Sequence, residues 1–522
     1  MQTNLTALDG IIIALYLGIV VAIGIAVARQ TKTGEDLFLA GRSLGWTAIG
    51  FSLFASNIST STLIGLTGSA YTSGLAVSAY EWMAGIPLLL MAFVFAPVFL
   101  KSQITTTPEY LEKRFSRRVR LYFSALTILF TIIVDTAGGL YAGAVVVRVF
   151  FPSIDIWLSC IAIGAFAGLY TAAGGLRAVV YTDILQAVVL IIGTAMTAFI
   201  MFQGVDFSWD AVTRAVPDGN LSIVKPISDP NMPWPGLFTG VWLLGFWYWV
   251  TNQYIVQRVL GARSLAHAQW GAILGGILKI LPTFFIILPG VMAAVTLPGI
   301  QSADQVFPVM VTQVLPAGLT GLVMAGLIAA IMSTVDSTLN SSSTLLVKDF
   351  LSRPDKDLTA QQQKSWGSTS TLGFMAFAIL WAPFIERFGG LWDYIQNAFS
   401  VLVPPLVVCF TLGALWRRGT ATAAFWTLIG GHAVCLAVFI LSQSGIWTLH
   451  FTINVALMTA LCAVIFVSIS LAGANAHPDP NTVWNKRDAV DTEAFTAPVW
   501  ANAKTYAWLL AGLMLGTLGL FW

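Results

Sequence analysis

The stretch Ala55–Thr62, with the sequence ASNISTST, interrupts an apolar run that extends from about residue 45 to 70. Six of its eight side chains are polar, and Gly65 and Gly68 follow shortly after it. Backbone groups that leave a helix inside a bilayer must be buried in protein or face water, because lipid offers them no hydrogen bonds. The stretch therefore predicts a broken membrane helix that lines a cavity. Simple polar packing between helices is the alternative.

The composition indicates that the rest of the chain also lies in lipid. Of its 522 residues, 57% are hydrophobic and 10% are charged, whereas soluble domains carry about 25% charged residues. Fourteen apolar runs are long enough to span a bilayer, near residues 10–28, 45–70, 80–100, 121–150, 156–174, 182–204, 236–258, 269–297, 306–348, 369–388, 395–416, 422–443, 449–472 and 504–521. We therefore expect an all-α integral membrane protein with fourteen transmembrane helices. The ninth run is too long for one span and predicts a short helix before Pro316 and a long helix after it.

The distribution of basic residues predicts the orientation. With the N-terminus outside, most of the 26 Lys and Arg residues fall on the inner side, as the positive-inside rule requires. Both termini are then expected outside, and the short outer loops favour a bacterial inner membrane. The longest hydrophilic stretches, 205–235 and 473–503, are too short for an independent domain. Neither a nucleic-acid site nor an enzyme motif is found, so we expect a protein that is not an enzyme.

A second interruption lies in the seventh run. Gly245–Trp249 (GFWYW) is followed there by Thr251–Gln253 (TNQ). Both breaks fall on the first helix of a five-helix unit, and five is odd, so the second unit runs inverted, as in many transporters. The expected organisation is an extra N-terminal helix, a first repeat, an outer loop, a second inverted repeat and three peripheral helices, at residues 1–42, 43–204, 205–235, 236–416 and 417–522.

The ninth run carries a stripe of hydroxyl side chains. Ala330, Ser333, Thr334 and Ser337 recur at i, i+3, i+4 and i+7 and share one helical face. Hydroxyls and freed carbonyls form a hard oxygen shell of the kind that a small alkali cation prefers. Hydrogen bonds from Ser and Thr to their own helix explain the same pattern equally well.

Several ionisable residues lie at membrane depth, where such side chains are functional candidates by default. They are Glu81, Asp135, Asp183, Lys279 and Asp336. Asp183 follows Thr182 near the start of a run, so helix capping is a serious alternative for it. Lys279 lies about ten residues into its span, and we expect it to face inward and to be paired.

A series of motifs identifies the chain as a member of the sodium/solute symporter family, closest to the sodium/glucose cotransporter branch. The motifs lie between about residues 10 and 445 and read FASNIS, YEWMA, TAAGGLRAVVYTDILQ, FWYWVTNQYIVQR, LKILPTFFIILPGVM, AAIMST, NSSSTLLVKD and DYIQ. This resemblance implies a LeuT-like core of two inverted five-helix repeats, the division already expected from the two breaks.

The resemblance also implies binding residues. The sodium-binding positions would be Ala55, Ile58, Ala330, Ser333 and Thr334. The substrate-binding positions would be Asn57, Thr62, Glu81, Tyr248, Trp249, Lys279 and Gln396, with Tyr248 as the inner gate that stacks on a sugar. Aromatic planes and fixed polar groups suit a sugar, whose CH faces are apolar and whose rim is hydroxyl.

The chain departs from its relatives at a few of these positions. Thr62 stands where relatives carry Gln or His, and Gly245 and Ala84 replace polar residues near the pocket. Asp336 stands where relatives with a second sodium site have Ser or Thr. Together with Ser337 and Asp183, Asp336 forms a candidate second cation site, for sodium or for a proton-sensitive step.

The function expected from the resemblance is sodium-driven symport of a neutral sugar, a glucose-like or galactose-like hexose, by alternating access. Its ligands are Na⁺ and a sugar, and its surroundings are the lipid bilayer. Lys279, Glu81 and Gln396 favour a neutral polyol over an acid, because no spare arginine is expected to face the pocket. Alternatives are a sodium symporter for an inositol, a sialic acid or a carboxylate and, from another class, a channel or a receptor. A channel needs a continuous polar pore, whereas broken helices indicate an occluded site.

Overall fold

The computed structural model describes residues 6–28, 39–170, 176–352, 358–474, 476–487 and 502–522. These ranges are mainly helical, with no β-strand among them and two isolated bridges, Leu44 with Ala262 and Lys225 with Pro233. The helices are Ala7–Ala28, Trp46–Asn57, Thr60–Ser73, Leu75–Lys101, Thr107–Arg114, Arg117–Phe150, Ile156–Tyr170, Leu176–Gln203, Trp209–Ala215, Trp234–Thr239, Val241–Phe246, Trp247–Thr251, Gln253–Leu260, Leu265–Thr296, Val306–Val314, Leu319–Leu351, Ala360–Trp381, Ala382–Phe388, Leu391–Leu415, Ala421–Gln443, Phe451–Ala472 and Ala503–Leu520.

The described helices account for much of the expected membrane domain. Nine of those in the described ranges are long and apolar enough to cross a bilayer, and a bent pair of helices makes a tenth. Ala7–Val20 and Ile156–Ala165 are shorter apolar helices. An all-α membrane protein is therefore confirmed, whereas the count of fourteen spans stays a prediction. The seventh run divides into short helices, so length and hydropathy do not detect it as one span.

The predicted break in the second run is present. The helix Trp46–Asn57 ends at Ile58, and a second helix, Thr60–Ser73, begins after the extended residue Ser59. The two halves meet at an angle of 58°. Ser59 caps the second half, because its hydroxyl accepts the N–H of Thr62 at 3.2 Å. We call these two halves the first broken helix.

The seventh run is broken in a different way. A π-helical turn, Trp247–Thr251, ends at Asn252, whose backbone is extended, and the helix Gln253–Leu260 follows. π-helical turns occur frequently at functional sites. Val241–Leu260 is called the second broken helix below.

The ninth run divides as expected. The short helix Val306–Val314 precedes Pro316, and the long helix Leu319–Leu351 follows it. This long helix carries the stripe of Ser and Thr residues, and we call it the hydroxyl-rich helix. The side chain of Asp9, in the helix Ala7–Ala28, accepts the N–H groups of Gly318 and Gly321, each at 2.7 Å. Asp9 thereby caps the N-terminus of the hydroxyl-rich helix.

Small residues allow the first broken helix to approach the helix Leu265–Leu278 closely. A Cβ atom on Gly50 would collide with the side chain of Leu274, and one on Gly271 would collide with Ile49. Close approach at small residues is typical of helix pairs in membranes. Because of this contact, Lys279, at the end of that helix, lies beside the break.

Candidate functional site

A cavity lies between the two broken helices. Its polar lining consists of Asn57, Ser59, Ser61, Thr62, Glu81, Asp135, Thr334 and Gln396. Its larger apolar and aromatic lining residues are Tyr80, Tyr248, Trp249, Tyr254, Trp392 and Phe399. Aromatic walls with a few convergent polar groups are typical of a site for a small polar molecule.

Two carbonyl groups of the first break lose their helical hydrogen bonds. In a continuous helix the carbonyl oxygen of Ala55 would accept a hydrogen bond from the N–H of Ser59. That N–H donates instead to the main-chain oxygen of Asn57 at 2.7 Å. The carbonyl of Ile58 would accept from the N–H of Thr62, which bonds instead to the hydroxyl of Ser59. The oxygens of Ala55 and Ile58 are thus released, as a cation site made of main-chain oxygens requires.

The hydroxyl-rich helix lies against this break. The hydroxyl of Thr60 donates to the carbonyl oxygen of Leu327 at 3.0 Å, about one turn before Ala330. Further along, Thr334 lines the cavity, Ser333 is half-buried and Ala330 is fully buried. The structure therefore brings the residues of the expected sodium site to two facing elements.

The candidate second cation site is described only in part. Ser337 is buried, and its hydroxyl has no hydrogen-bond partner among the described residues. Asp336 is half-buried on the same helix. The side chain of Asp183 lies outside the described residues.

A buried ion pair lies at the cavity wall, where Glu81 is a lining residue and its partner Lys279 is not. The ammonium of Lys279, fully buried, donates to the carboxylate of Glu81 and to the amide oxygen of Asn57. It also lies 5.7 Å from the ring centroid of Trp249. Buried charges require such partners, because desolvation is otherwise costly. The expectation that Lys279 faces inward and is paired is confirmed.

Aromatic residues cover the cavity on two sides. The hydroxyl of Tyr248 donates to the carbonyl oxygen of Ser56 at 2.9 Å, and its ring lies 5.0 Å from that of Trp249. Elsewhere in the lining, Tyr80 and Trp392 pack edge to face with centroids 5.2 Å apart. Tyr80 and Trp392 were not among the expected binding residues, although they are neighbours of Glu81 and of the DYIQ motif.

The remaining expected contacts differ in position. Gln396 lines the cavity, and its side-chain oxygen has no partner among the described residues. Thr62 uses its hydroxyl within the break, where it donates to the oxygen of Asn57 at 2.6 Å. Gly245 lines the cavity, whereas Ala84 is buried outside the lining.

Asp135, one of the ionisable candidates at membrane depth, lines the cavity, although it was not among the expected binding residues. It lies in a π-helical turn, Thr131–Thr136, and accepts a hydrogen bond from the amide of Asn252 at 3.4 Å. Sequence spacing shows that Asp135 lies at membrane depth, but not which way it faces. In the described ranges no group of three or more His, Cys, Asp or Glu side chains could hold a metal ion.

A polar cavity between two broken membrane helices is typical of a secondary transporter. The sodium:solute symporter family matches residues 37–431, and the chain belongs to this family. It is therefore a multi-pass membrane protein and a sodium-coupled symporter, and it is not an enzyme.

Two relatives and one solved structure illustrate the similarity. The chain is 33% identical to sodium/glucose cotransporter 4 of Danio rerio, over 96% of this chain and 84% of that protein. It is 32% identical to the sodium/glucose cotransporter of Vibrio parahaemolyticus, over 89% of this chain and 92% of that protein. A Na⁺-coupled sialic acid symporter in a substrate-bound outward-open state has a TM-score of 0.78 at 22% identity, covering 91% of this chain and 99% of that one. At this identity the likeness concerns the fold alone.

Proposed function

We propose that the protein couples inward sodium movement to uptake of a neutral hexose such as glucose or galactose, by alternating access. The observation that carries this proposal is an aromatic, hydrogen-bonding cavity lined by residues of the first break, where two carbonyls have lost their helical hydrogen bonds. The relatives named as sodium/glucose cotransporters support the choice of sugar.

Sodium is proposed to bind where the first broken helix faces the hydroxyl-rich helix. Its ligands would be the carbonyl oxygens of Ala55, Ile58 and Ala330 and the hydroxyls of Ser333 and Thr334. The carbonyls of Ala55 and Ile58 have lost their helical hydrogen-bond donors, and Thr334 lines the cavity proposed to bind the sugar. Support for a second cation at Asp183, Asp336 and Ser337 comes from the buried, unpartnered hydroxyl of Ser337. Equal sodium Hill coefficients and equal charge per sugar in wild type and Asp336→Ser would disprove that second site.

The sugar is proposed to bind among the polar and aromatic residues of the cavity, with Asn57, Thr62, Glu81, Lys279 and Gln396 as hydrogen-bonding residues. Tyr248 and Trp249 would face its apolar side, Tyr248 as the inner gate. No Lys or Arg is among the cavity lining residues described, and Lys279 is neutralised by Glu81. An anionic substrate such as a sialic acid or a carboxylate is therefore less well matched than a neutral one.

The proposed architecture is a LeuT-like core of two inverted repeats, residues 43–204 and 236–416, within fourteen spans. Breaks at Ile58–Ser59 and at Asn252, each in the first helix of a unit, support this division. Residues 1–42, 205–235 and 417–522 would add the extra helix, the outer loop and the peripheral helices. Both termini are proposed to lie outside a bacterial inner membrane.

Coupling follows from linkage between the two ligands. Sodium that joins the two elements would favour the outward-open, sugar-binding state, and inward opening would then release both ligands. Each positive charge that moves inward gains about 2.3 kcal/mol per 100 mV of membrane potential.

Uptake of radiolabelled hexose into proteoliposomes tests the proposal. We expect accumulation with an inward sodium gradient, no accumulation with a matched potassium gradient, and inhibition by unlabelled hexose. Protein-free liposomes give the background. Sugar uptake that is indifferent to sodium would disprove the coupling, and sodium-dependent uptake of a carboxylate alone would disprove the neutral substrate.

A further inference from the structure

Asp135 presents an unpaired carboxylate to the cavity. One of its oxygens accepts the amide N–H of Asn252, and no Lys, Arg or His of the described residues forms an ion pair with it. The buried guanidinium of Arg258 lies on the second broken helix, but it donates to the hydroxyl of Ser52 and to the carbonyl oxygen of Tyr254. Asp135 therefore keeps a free carboxylate oxygen at the cavity surface.

The charges of the described residues that line the cavity do not balance: Glu81 and Asp135 are acidic, and no Lys or Arg is in the lining. Glu81 and Lys279 neutralise each other within the wall, so the carboxylate of Asp135 is left as an excess negative charge. A charge at this depth is costly unless it is paired. Sodium at the proposed site offsets the charge from another wall, but an alkali cation donates no hydrogen bond to the carboxylate. A group that is both positive and a hydrogen-bond donor would satisfy Asp135 completely.

The other unused polar atoms of the lining are one acceptor and one donor, and Asn252, which bonds to Asp135 but lies outside the lining, adds a second acceptor. The side-chain oxygens of Asn252 and Gln396, both buried, have no partner in the described part of the chain. Trp392 contributes one unused donor, its indole N–H. A ligand that fits this set must bring donors, and a protonated amine brings three, whereas a hydroxyl brings one. Hydrogen bonds between ammonium and carboxylate are also about twice as strong as those between neutral groups.

Aromatic rings add to this preference. Tyr248, Trp249 and Tyr254 line the same cavity, and Tyr248 and Tyr254 contact each other with ring centroids 5.9 Å apart. The faces of aromatic rings attract cations, most strongly where water is excluded.

We propose that Asp135 makes the transporter select a hexose that carries a protonated amine, an aminohexose, over the corresponding neutral hexose. This rests on the proposed sodium-driven sugar transport and changes its preferred substrate from a neutral hexose to a cationic one. The carboxylate of Asp135 would accept the ammonium, while Lys279, Glu81 and Asn57 would contact the hydroxyls as for any hexose.

Competition for sodium-driven uptake tests the assignment. Proteoliposomes take up radiolabelled D-glucose in the presence of unlabelled D-glucose, D-glucosamine or N-acetyl-D-glucosamine, at a pH at which the free amine is protonated. Glucosamine differs from glucose at one substituent, and its N-acetyl form is neutral. The variants are Asp135→Asn, which keeps the shape of the side chain, and Asp393→Asn, which removes the same charge from an exposed position outside the cavity lining.

We expect glucosamine to compete about tenfold more strongly than glucose in wild type, because its ammonium forms one charged hydrogen bond that glucose cannot form. Asp135→Asn should abolish this advantage, so that glucosamine and glucose compete about equally, whereas Asp393→Asn should keep the wild-type ratio between the two sugars.

Three outcomes overturn the inference: glucosamine that competes no better than glucose, N-acetylglucosamine that competes as well as glucosamine, or an equal loss of both sugars in Asp135→Asn. In these cases sodium-driven glucose uptake still supports the proposed function. Absence of sodium-driven uptake of labelled glucose and of labelled glucosamine overturns both proposals, and uptake of glucosamine alone supports the inference while it disproves the neutral substrate.

Discussion

The hydroxyl of Tyr248 donates to the carbonyl oxygen of Ser56 at 2.9 Å and so joins the two broken helices beside their breaks. Ser56 lies two residues before Ile58, and Tyr248 lies four residues before Asn252. The bond therefore closes one wall of the cavity between two elements that are far apart in the sequence. In the proposed mechanism this bond must break before a substrate leaves past Tyr248.

Replacing Tyr248 with Phe removes the bond but keeps the ring. We expect substrate affinity to change little, because the aromatic plane remains, while the closed state loses about 1 kcal/mol of stabilisation. Sodium leak without sugar should then rise severalfold in proteoliposomes, as measured by ²²Na⁺ uptake. Tyr248→Ala, which also removes the ring, should raise the half-saturating sugar concentration. Unchanged leak in Tyr248→Phe would show that the bond does not hold the cavity closed.

Replacing Thr334 with Ala tests the proposed sodium site. Loss of one oxygen ligand should raise the half-saturating sodium concentration about tenfold or more, as the loss of a charged contact implies. Thr344→Ala provides a matched control on the hydroxyl-rich helix, because the Thr344 hydroxyl bonds to the carbonyl of Asn340 at 2.7 Å. Sodium dependence that shifts equally in both variants would indicate a general effect of hydroxyl loss on the helix, and the sodium site would need another location.

The break in the second run could be predicted because polar residues stand out in an apolar run, and Pro316 marks the end of a helix in the same way. The composition of a run also predicts that it lies in the membrane. The number of spans is harder to establish from helix lengths in the structure. The second broken helix, predicted as one run, consists of pieces that are each too short to span a bilayer.

The cavity lining could be predicted only in part. Glu81, Tyr248 and Gln396 were expected from motifs, and all three line the cavity. Tyr80 and Trp392 were missed, since aromatic residues are common in membrane helices and nothing in their spacing distinguishes a cavity wall from a lipid-facing surface. The direction in which the Asp135 side chain points depends on a π-helical turn. Such a turn changes which side chains share a helix face, and it has no clear signature in composition.

The ion pair between Lys279 and Glu81 has a structural role and a proposed substrate-binding role, which variants can separate. Glu81→Gln and Lys279→Met each leave a buried charge without its partner, which typically costs about 3–5 kcal/mol. Both single variants should therefore melt at lower temperature and lose uptake. The double variant Glu81→Leu with Lys279→Met should recover thermal stability in detergent, yet it should not recover uptake. Recovery of uptake in the double variant would contradict a role of the pair in sugar binding.

Replacement by alanine should affect protein stability differently at two glycines. At Gly245 an added Cβ would lie 3.5 Å from Pro87 and 3.6 Å from Trp249, which is ordinary contact, so Gly245→Ala should fold normally. At Gly68 the Cβ would collide with the backbone of Ala303, so Gly68→Ala should be destabilising by about 1–3 kcal/mol. Gly245→Asn, which adds a polar group to the cavity, should alter the preference among hexoses without lowering the melting temperature. The readouts are the melting temperature in detergent and competition by a hexose panel, and equal melting of all three variants would contradict the packing at Gly68.

His450 should make the stability of the protein depend on pH. It precedes the helix Phe451–Ala472 outside the membrane span, and its Nδ1 atom accepts the N–H of Thr452 at 3.4 Å as a cap. Burial lowers the pKa of His450 from 6.5 to about 4. Because the folded state holds the neutral ring while the unfolded chain takes up a proton below pH 6.5, stability should fall as the pH decreases from about 6.5 to about 4.

In His450→Asn the amide oxygen can cap the helix without titrating, so its melting temperature should fall less steeply over this range. His477→Asn, at an exposed position, should follow wild type. Parallel melting curves for wild type and His450→Asn would show that the ring of His450 is not held neutral by burial.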